Sequence, residues 1–426
     1  MANEQRDEEM QRAPRTGIRR FVRTFDSLEV PAYRNYFLAM FLYFGAMQMT
    51  QLARPWIAYQ LSANDAGERS PFVLGITVAA NFVPSLVLSP YAGALADRLS
   101  KRSILMIAAI SMAFLAGVTA LGLYAGFLQW WHVAIIGIFQ GSVMTFITPT
   151  RRAIVADLVP DHFLMNAVAL HTIELNINRT VMQAVAGISI DLIGAHWAYT
   201  MIAGMYLIGT VALFSVPRYG VGGKGRVRKG SGSVMEGIRY ARTDKTIRGL
   251  LLIGIVGAVL GQPLQQLLVL FQDVLHVGAT EIGFLATVWG LGSLFGSTIA
   301  ASLGDFKRKG LLLIGFFSLL GFSIMVFSIS SIYILSLFLM FPLGIGHSGR
   351  TTVHLATLQT YAPPDMRGRI LALNAMQSGL QPLSIAAITG IAEFANPQLA
   401  FAGAGATILA YGLWELLFSR TIRDLK

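Results

Sequence analysis

Gly93-Ala-Leu-Ala-Asp97-Arg98-Leu-Ser-Lys101-Arg102 closes one long apolar run, and Ala301-Ser-Leu-Gly-Asp305-Phe-Lys-Arg-Lys-Gly310 closes another 208 residues later. Each puts small residues, an aspartate and a basic cluster at the end of a bilayer-length stretch. The same loop at the same membrane edge, used twice, marks a duplicated membrane protein. A second pair of segments agrees. Val159-Pro-Asp-His-Phe-Leu-Met-Asn-Ala-Val-Ala-Leu170 parallels Pro363-Pro-Asp-Met-Arg-Gly-Arg-Ile-Leu-Ala-Leu373 at an offset of 204. Matched loops in the same order and on the same side predict parallel halves related by an axis along the membrane normal. Substrate then binds near the midplane between them.

Composition requires the bilayer. Of the 426 residues, 54% are hydrophobic and 13% charged, about half the charge of a soluble domain. Apolar runs of about 20 residues recur from Tyr36 onward, each long enough to cross the hydrocarbon core. They are continuously apolar, so they read as helices and not as barrel strands. The expected fold is an all-α membrane protein of twelve transmembrane helices in two pseudosymmetric six-helix bundles. The spans fall near 36–58, 72–94, 103–125, 131–155, 166–190, 197–216, 249–271, 282–303, 310–329, 331–353, 369–392 and 398–418. The chain has no cysteine, which removes disulfides, thiolate metal sites and cysteine nucleophiles. No cleavable signal peptide is read at the N-terminus.

The basic residues orient the spans. With both termini inside, 29 of the 33 lysines and arginines fall on the inner side, and Arg69 alone falls in an outer loop. Arg54, Arg179 and Arg350 lie within spans. This is a strong positive-inside pattern. It assigns the net charge of +11 to topology and to contact with anionic headgroups at the inner face, and argues against nucleic-acid binding. The one long interior loop carries Gly222-Gly-Lys-Gly-Arg-Val-Arg-Lys-Gly-Ser-Gly-Ser233, a flexible basic linker, then a possible surface helix over Met235–Arg242. It divides the chain into a tail (1–30), a first bundle (31–216), the linker (217–248), a second bundle (249–418) and a second tail (419–426). Both tails are expected in the cytoplasm.

Here the chain resembles the major facilitator superfamily over essentially its whole length. The signature of that family between spans 2 and 3 is Gly-x-Leu-Ala-Asp-Arg-x-Gly-Arg-Lys-x-x-Leu. This chain reads Gly93-Ala-Leu95-Ala96-Asp97-Arg98-Leu-Ser100-Lys101-Arg102-Ser-Ile-Leu105, with Ser100 in place of Gly. A narrower resemblance lies in Pro149-Thr-Arg151-Arg-Ala-Ile-Val-Ala-Asp157-Leu-Val-Pro160, Asn166-Ala-Val-Ala-Leu170 and Asn176-Ile-Asn-Arg179. These are similar to the exporter group that includes siderophore and macrolide efflux proteins. Met182-Gln183 stands where that group carries Gly-Pro, a pair associated with antiporters. Uptake of a metabolite or lipid-like substrate therefore stays open as the alternative direction.

The resemblance implies a gate. Asp97 packs against the N-terminus of span 11, whose partial positive charge attracts anions, and Arg98 bridges to Asp157. By pseudosymmetry Asp305 meets the N-terminus of span 5, near Phe163–Asn166. Gly93, Lys101 and Arg102 complete the motif. The alternative is that the basic residues are topology anchors only.

Ionisable groups inside spans are costly and point to function. Span 5 is the richest in polar groups: His171, Glu174, Asn176, Asn178 and Arg179. His171, Glu174 and Asn178 recur at i, i+3 and i+7 and so share one helix face. Arg179 is about 140° round from Glu174; it holds an anionic substrate or balances Glu174. Glu174 is the one carboxylate deep in a span, and with His171 it is the candidate for proton coupling, against a structural ion pair. In the family, spans 1, 4, 7 and 10 line the cavity. Gln48, Gln51 and Arg54 (span 1), Gln140 (span 4), Gln262, Gln265 and Gln266 (span 7), and His347 and Arg350 (span 10) fit that placement. Interhelical hydrogen bonding is the competing role. Gly257-x-x-x-Gly261 and Gly292-x-x-x-Gly296 suit close helix packing.

The expected function is secondary active transport of a small organic molecule by alternating access, with export coupled to protons as the leading reading. The chain carries no Walker A sequence for direct ATP drive. An integral membrane enzyme is the contrasting class. Against it stand the absence of paired intramembrane carboxylates and of a nucleophile–base pair; His171 and Glu174 alone make a weak metal pair. The expected partners are the substrate, protons and lipid, with no cofactor, no metal and a monomeric state.

Overall fold

The structure is a computed structural model that describes residues 27–85, 87–88, 100–217, 234–303 and 306–425. Among the described residues twelve helical spans follow one another. The first six are Pro31–Gln60, Pro71–Ala80, Lys101–Tyr124, Trp130–Leu158, Asp161–Ile193 and Ala195–Phe214. In span 2, Asn81 and Phe82 form a turn after Ala80, and residues 83–85 and 87–88 are again helical. A short helix, Val234–Thr243, then precedes the second six. Span 7 begins at Lys245 and is built in pieces. Spans 8, 9 and 10 are Ala279–Ser302, Lys309–Ile329 and Tyr333–Tyr361. Span 11 is Arg367–Ala375 followed by Gln381–Phe394, and span 12 is Pro397–Leu417.

Local chemistry sets the starts. Ser100 accepts a hydrogen bond from the Ser103 N–H at the head of span 3. Asp244 does the same for Ile247 at the head of span 7. Asn396 caps span 12, with Pro397 in the first turn where its missing N–H is harmless. Seven of the described helices are individually long and apolar enough to cross a bilayer: spans 3, 4, 6, 7, 8, 9 and 12. Spans 1, 5 and 10 are long but carry the embedded polar groups, which lowers their hydropathy.

Two spans depart from the straight helices expected. In span 7 the α-helix Lys245–Val256 passes into a π turn, Gly257–Gly261, then short pieces Pro263–Gln266, Leu268–Phe271 and Gln272–Leu275. In span 11 a 3-10 turn over Met376–Leu380 separates the two α-segments. The breaks face each other. Gln266 Nε2 donates to Gln381 Oε1 at 3.4 Å, and Ser384 Oγ donates to the Val259 carbonyl. π turns inside α-helices are frequent at functional positions.

Packing inside the halves pairs span 3 with 6, 1 with 5 and 6, 8 with 10, and 9 with 12. Gly292 and Gly296 of span 8 lie directly under the carbonyls of Phe341 and Ile345 of span 10, so this glycine pair does bring two helix backbones together. Gly257 does something else. A side chain there would run into the Arg350 guanidinium, so its bareness makes room for a buried charge, not for a neighbouring helix. Between the halves, span 5 packs along span 8 and span 2 along span 11.

Candidate functional site

We call the face at which span 1 begins, span 12 ends and Lys101, Arg102, Lys307, Arg308 and Lys309 lie the basic face, and the other the far face. Every hydrogen bond described between the two halves lies at the far face. Asp191, in the last turn of span 5, accepts from the Thr280 N–H at 2.7 Å and the Ala279 N–H at 3.3 Å, at the head of span 8. Glu393, in the last turn of span 11, accepts from the Phe72 N–H and the Ser70 hydroxyl, both at 2.9 Å, at the head of span 2. A third cluster ties span 1 to span 7. Arg69 pairs with Asp273 at 2.5 Å, Tyr59 Oη donates to the other carboxylate oxygen at 2.9 Å, and Gln60 bonds Gln272 at 3.2 Å.

These contacts satisfy otherwise unpaired backbone groups. The first four N–H groups of a helix have no partner within it. At span 8, Glu281 takes the Gly278 N–H at 2.9 Å, and Asp191 takes the next two. At span 2, Ser70 takes Val73, Pro71 has no N–H, and Glu393 takes Phe72. The halves thus complete each other's helix caps.

Span 5 lays its polar face on span 1, as its spacing predicts. Glu174 is 1% exposed, and its Oε2 lies 3.0 Å from His171 Nδ1. Its Oε1 has no partner. Asn178 Nδ2 donates to the Phe41 carbonyl at 3.2 Å. His171 meets the Phe44 ring edge-on at 6.3 Å, and the Arg151 guanidinium stacks over the same ring at 4.2 Å. Tyr33 Oη donates to the Ala167 carbonyl at 2.8 Å. The partner of Glu174 is therefore His171; Arg179, on the exposed face of the helix, forms no ion pair among the described residues. The sequence showed Arg151 as an inner-side basic residue within the exporter-like stretch, and its place over Phe44 was not legible.

Spans 1 and 4 meet at Arg54, which is 4% exposed and donates from Nη1 to Gln140 Oε1 at 3.2 Å. Gln48 is buried, and Gln51, though exposed, lines the same cavity as Arg54 and Gln140. In the second half Gln262, Gln265 and His347 are half-buried. His347 stands edge-on to Trp289 at 5.7 Å, within electrostatic reach of Arg350 on its own span and of Arg179 from the other half. Arg350 is 5% exposed; its Nη2 reaches Thr351 at 3.4 Å, and its Nε has no partner. His354, one turn on, bonds Asn374 at 2.8 Å.

The gate expected at the basic face is only partly described. Gly93, Asp97, Arg98 and Asp305 lie outside the described residues. Lys101 Nζ pairs with Asp157 Oδ2 at 2.5 Å, so Asp157 holds the basic cluster through Lys101. Arg102 stacks over the Phe214 ring at 5.8 Å. The far-face carboxylates Asp191, Glu393 and Asp273 were not singled out from the sequence as functional. A lone far-face arginine, Arg69, was the one signal pointing there.

The family model for transmembrane secretion effectors matches residues 23–423. The chain belongs to the major facilitator superfamily. Among curated relatives of this superfamily chain, the enterobactin exporter EntS of Shigella boydii (strain Sb227) is 23% identical over 403 residues, covering 93% of this chain and 94% of that protein. Macrolide efflux protein A of Streptococcus pyogenes is 24% identical over 321 residues, covering 71% and 76%. The fold is shared with solved major facilitator structures. A D-xylose–proton symporter superposes with a TM-score of 0.66 at 15% identity, covering 92% of this chain and 98% of the other. A bacterial homologue of the human lysosomal transporter Spinster, inward-facing and unoccupied, gives 0.65 at 16%, covering 93% and 98%. The chain is a multi-pass membrane transporter for a small molecule, and not an enzyme.

Proposed function

We propose that the chain exports a small organic molecule across a bacterial cytoplasmic membrane by alternating access, driven by inward proton flow. The observation that carries the reading is the one-sided joining of the halves. Their described bonds all lie at the far face, along spans 5–8, 2–11 and 1–7, while the sequence gate belongs to the first two of these span pairs at the basic face. One set holds when the other is broken, as alternating access requires. The relatives named for enterobactin export and macrolide efflux support the outward direction.

On this reading the basic face is cytoplasmic, with both chain ends there and its loops against anionic headgroups. The bundles are 31–216 and 249–418, joined by the linker, and the working unit is a monomer. Arg54, Arg179 and Arg350 outnumber Glu174 in the spans, which favours an anionic or polar neutral cargo. Glu174, beside His171, carries the proton. The test is efflux from cells with and without the protein, using siderophore and macrolide panels and imposed pH gradients. Efflux driven by an inward proton gradient is expected, with loss in Glu174→Gln and retained cargo binding. Uptake under the same gradient, or no transport of any panel member, would overturn the reading.

A further inference from the structure

Arg54 is a buried cation without an anion. It lies inside the first bundle, between spans 1 and 4, and is 4% exposed. Guanidinium stays charged in a protein and offers five N–H donors. One of them meets Gln140 Oε1 at 3.2 Å, a neutral acceptor. Nε is shut from solvent and has no partner. Among the described residues no carboxylate pairs with it. A buried charge held this way is unfavourable unless something compensates it.

The space beside it has a size and a chemistry. A cavity of about 30 Å³ opens against Arg54; Gln140, Asn81, Thr50, Tyr206 and the exposed Gln51 give it polar walls and three methionines complete it. A water needs roughly 10–15 Å³ on this measure, so the cavity admits two waters or one small anion. A drug-sized cargo does not fit. Gln140 still has its amide N–H groups to give, because its oxygen is the atom that accepts from Arg54. The thioethers of Met47, Met112 and Met144 make the apolar part of the wall soft and polarisable. Such a wall suits a large, weakly hydrated monovalent anion better than a phosphate or sulfate.

We propose that this cavity is a binding site for one small monovalent anion, of halide or carboxylate size, held by Arg54 and Gln140. The anion completes the charge balance of the first bundle. Its source is free halide from solution or the acid end of a cargo molecule; the chemistry that recognises either is the same. The inference rests on Arg54 and its cavity, and holds whatever the direction or coupling of transport.

The test uses the purified full chain in detergent, with thermal unfolding followed as sodium bromide, sodium formate or sodium gluconate is titrated at fixed ionic strength. A saturable rise in Tm with bromide and formate, none with gluconate, and loss of the rise in Arg54→Gln are expected. A rise with formate and none with bromide assigns the site to a carboxylate group, the cargo source. No saturable rise with either small anion, an equal rise with gluconate, or an unchanged response in Arg54→Gln overturns the proposal. Should Arg54→Gln fail to fold, structures of the wild-type chain in bromide and in formate decide the matter: anomalous density for bromide or a bound formate beside Arg54 is expected, and water alone there in both overturns it.

Discussion

Asp191 Oδ2 accepts a hydrogen bond from the Thr280 N–H at 2.7 Å, so the last turn of span 5 caps the first turn of span 8 across the two halves. A carboxylate in the last turn of its own helix faces the negative end of that helix's dipole, where it is disfavoured. The same holds for Glu393 at the end of span 11. Both positions make sense only through the opposite helix, whose N-terminus presents a partial positive charge and unpaired N–H groups.

Removing either charge should loosen the far face. Asp191→Asn and Glu393→Gln each forfeit a charge–dipole contact worth about 0.3–1 kcal/mol at exposed positions, a shift of roughly 2- to 5-fold in a two-state population. The chain lacks cysteine, so an introduced cysteine in the cavity reports directly. Its labelling from the far side should speed up in each variant and more in the double variant. Unchanged labelling would rule out the latch.

The opposite shift is expected from the basic face. Asp97→Asn weakens the sequence gate there, so far-side labelling of the same cysteine should slow. If both Asp97→Asn and Asp191→Asn move labelling in the same direction, the two faces do not compete.

Asp273→Asn should matter less. It disturbs the Arg69 pair and the Tyr59 bond, but these side chains are 46% and 30% exposed for Asp273 and Arg69. Pairs of that kind contribute about 0–1 kcal/mol, and salt near 1 M screens beyond about 3 Å. The wild-type and variant labelling rates should differ at low salt and converge at high salt.

Gly187→Ala tests the latch without touching charge. A methyl there would collide with the Ala279 carbonyl, a backbone atom that cannot step aside alone. Overpacking of this kind costs about 1–3 kcal/mol, and spans 5 and 8 should part at the far face. Far-side labelling should rise at least as much as in Asp191→Asn, with salt having no effect on the increment.

Glu174→Gln keeps the shape of the span 5 face and a hydrogen bond to His171. Folding and cargo binding should persist, while transport should lose its response to an imposed pH gradient. Retained gradient-driven transport would leave Glu174 a packing residue.

The twelve spans and the shared face of His171, Glu174 and Asn178 were legible because hydropathy and helical spacing are local signals. The breaks in spans 7 and 11 were not. They form where Gln266 meets Gln381, and where Gly257 yields to Arg350, contacts between residues far apart in sequence. Glu393 was not singled out, and its partner Phe72 contributes only a main-chain N–H, 321 residues away. A peptide N–H has no letter of its own, so no pattern search could pair them. Arg54 and Gln140 were both visible as cavity candidates, yet their bond and the cavity beside them required the helices to be assembled.

Helix caps that reach from one half to the other have an evolutionary consequence. One partner is side chain and the other is main chain. Almost any residue can occupy positions 72, 279 or 280 without losing the bond, proline excepted, whereas positions 191 and 393 must keep a carboxylate. Drift is therefore lopsided. A comparison that hunts for co-varying charge pairs would pass over this closure, and one that asks which helix-ending acids persist opposite helix beginnings would find it.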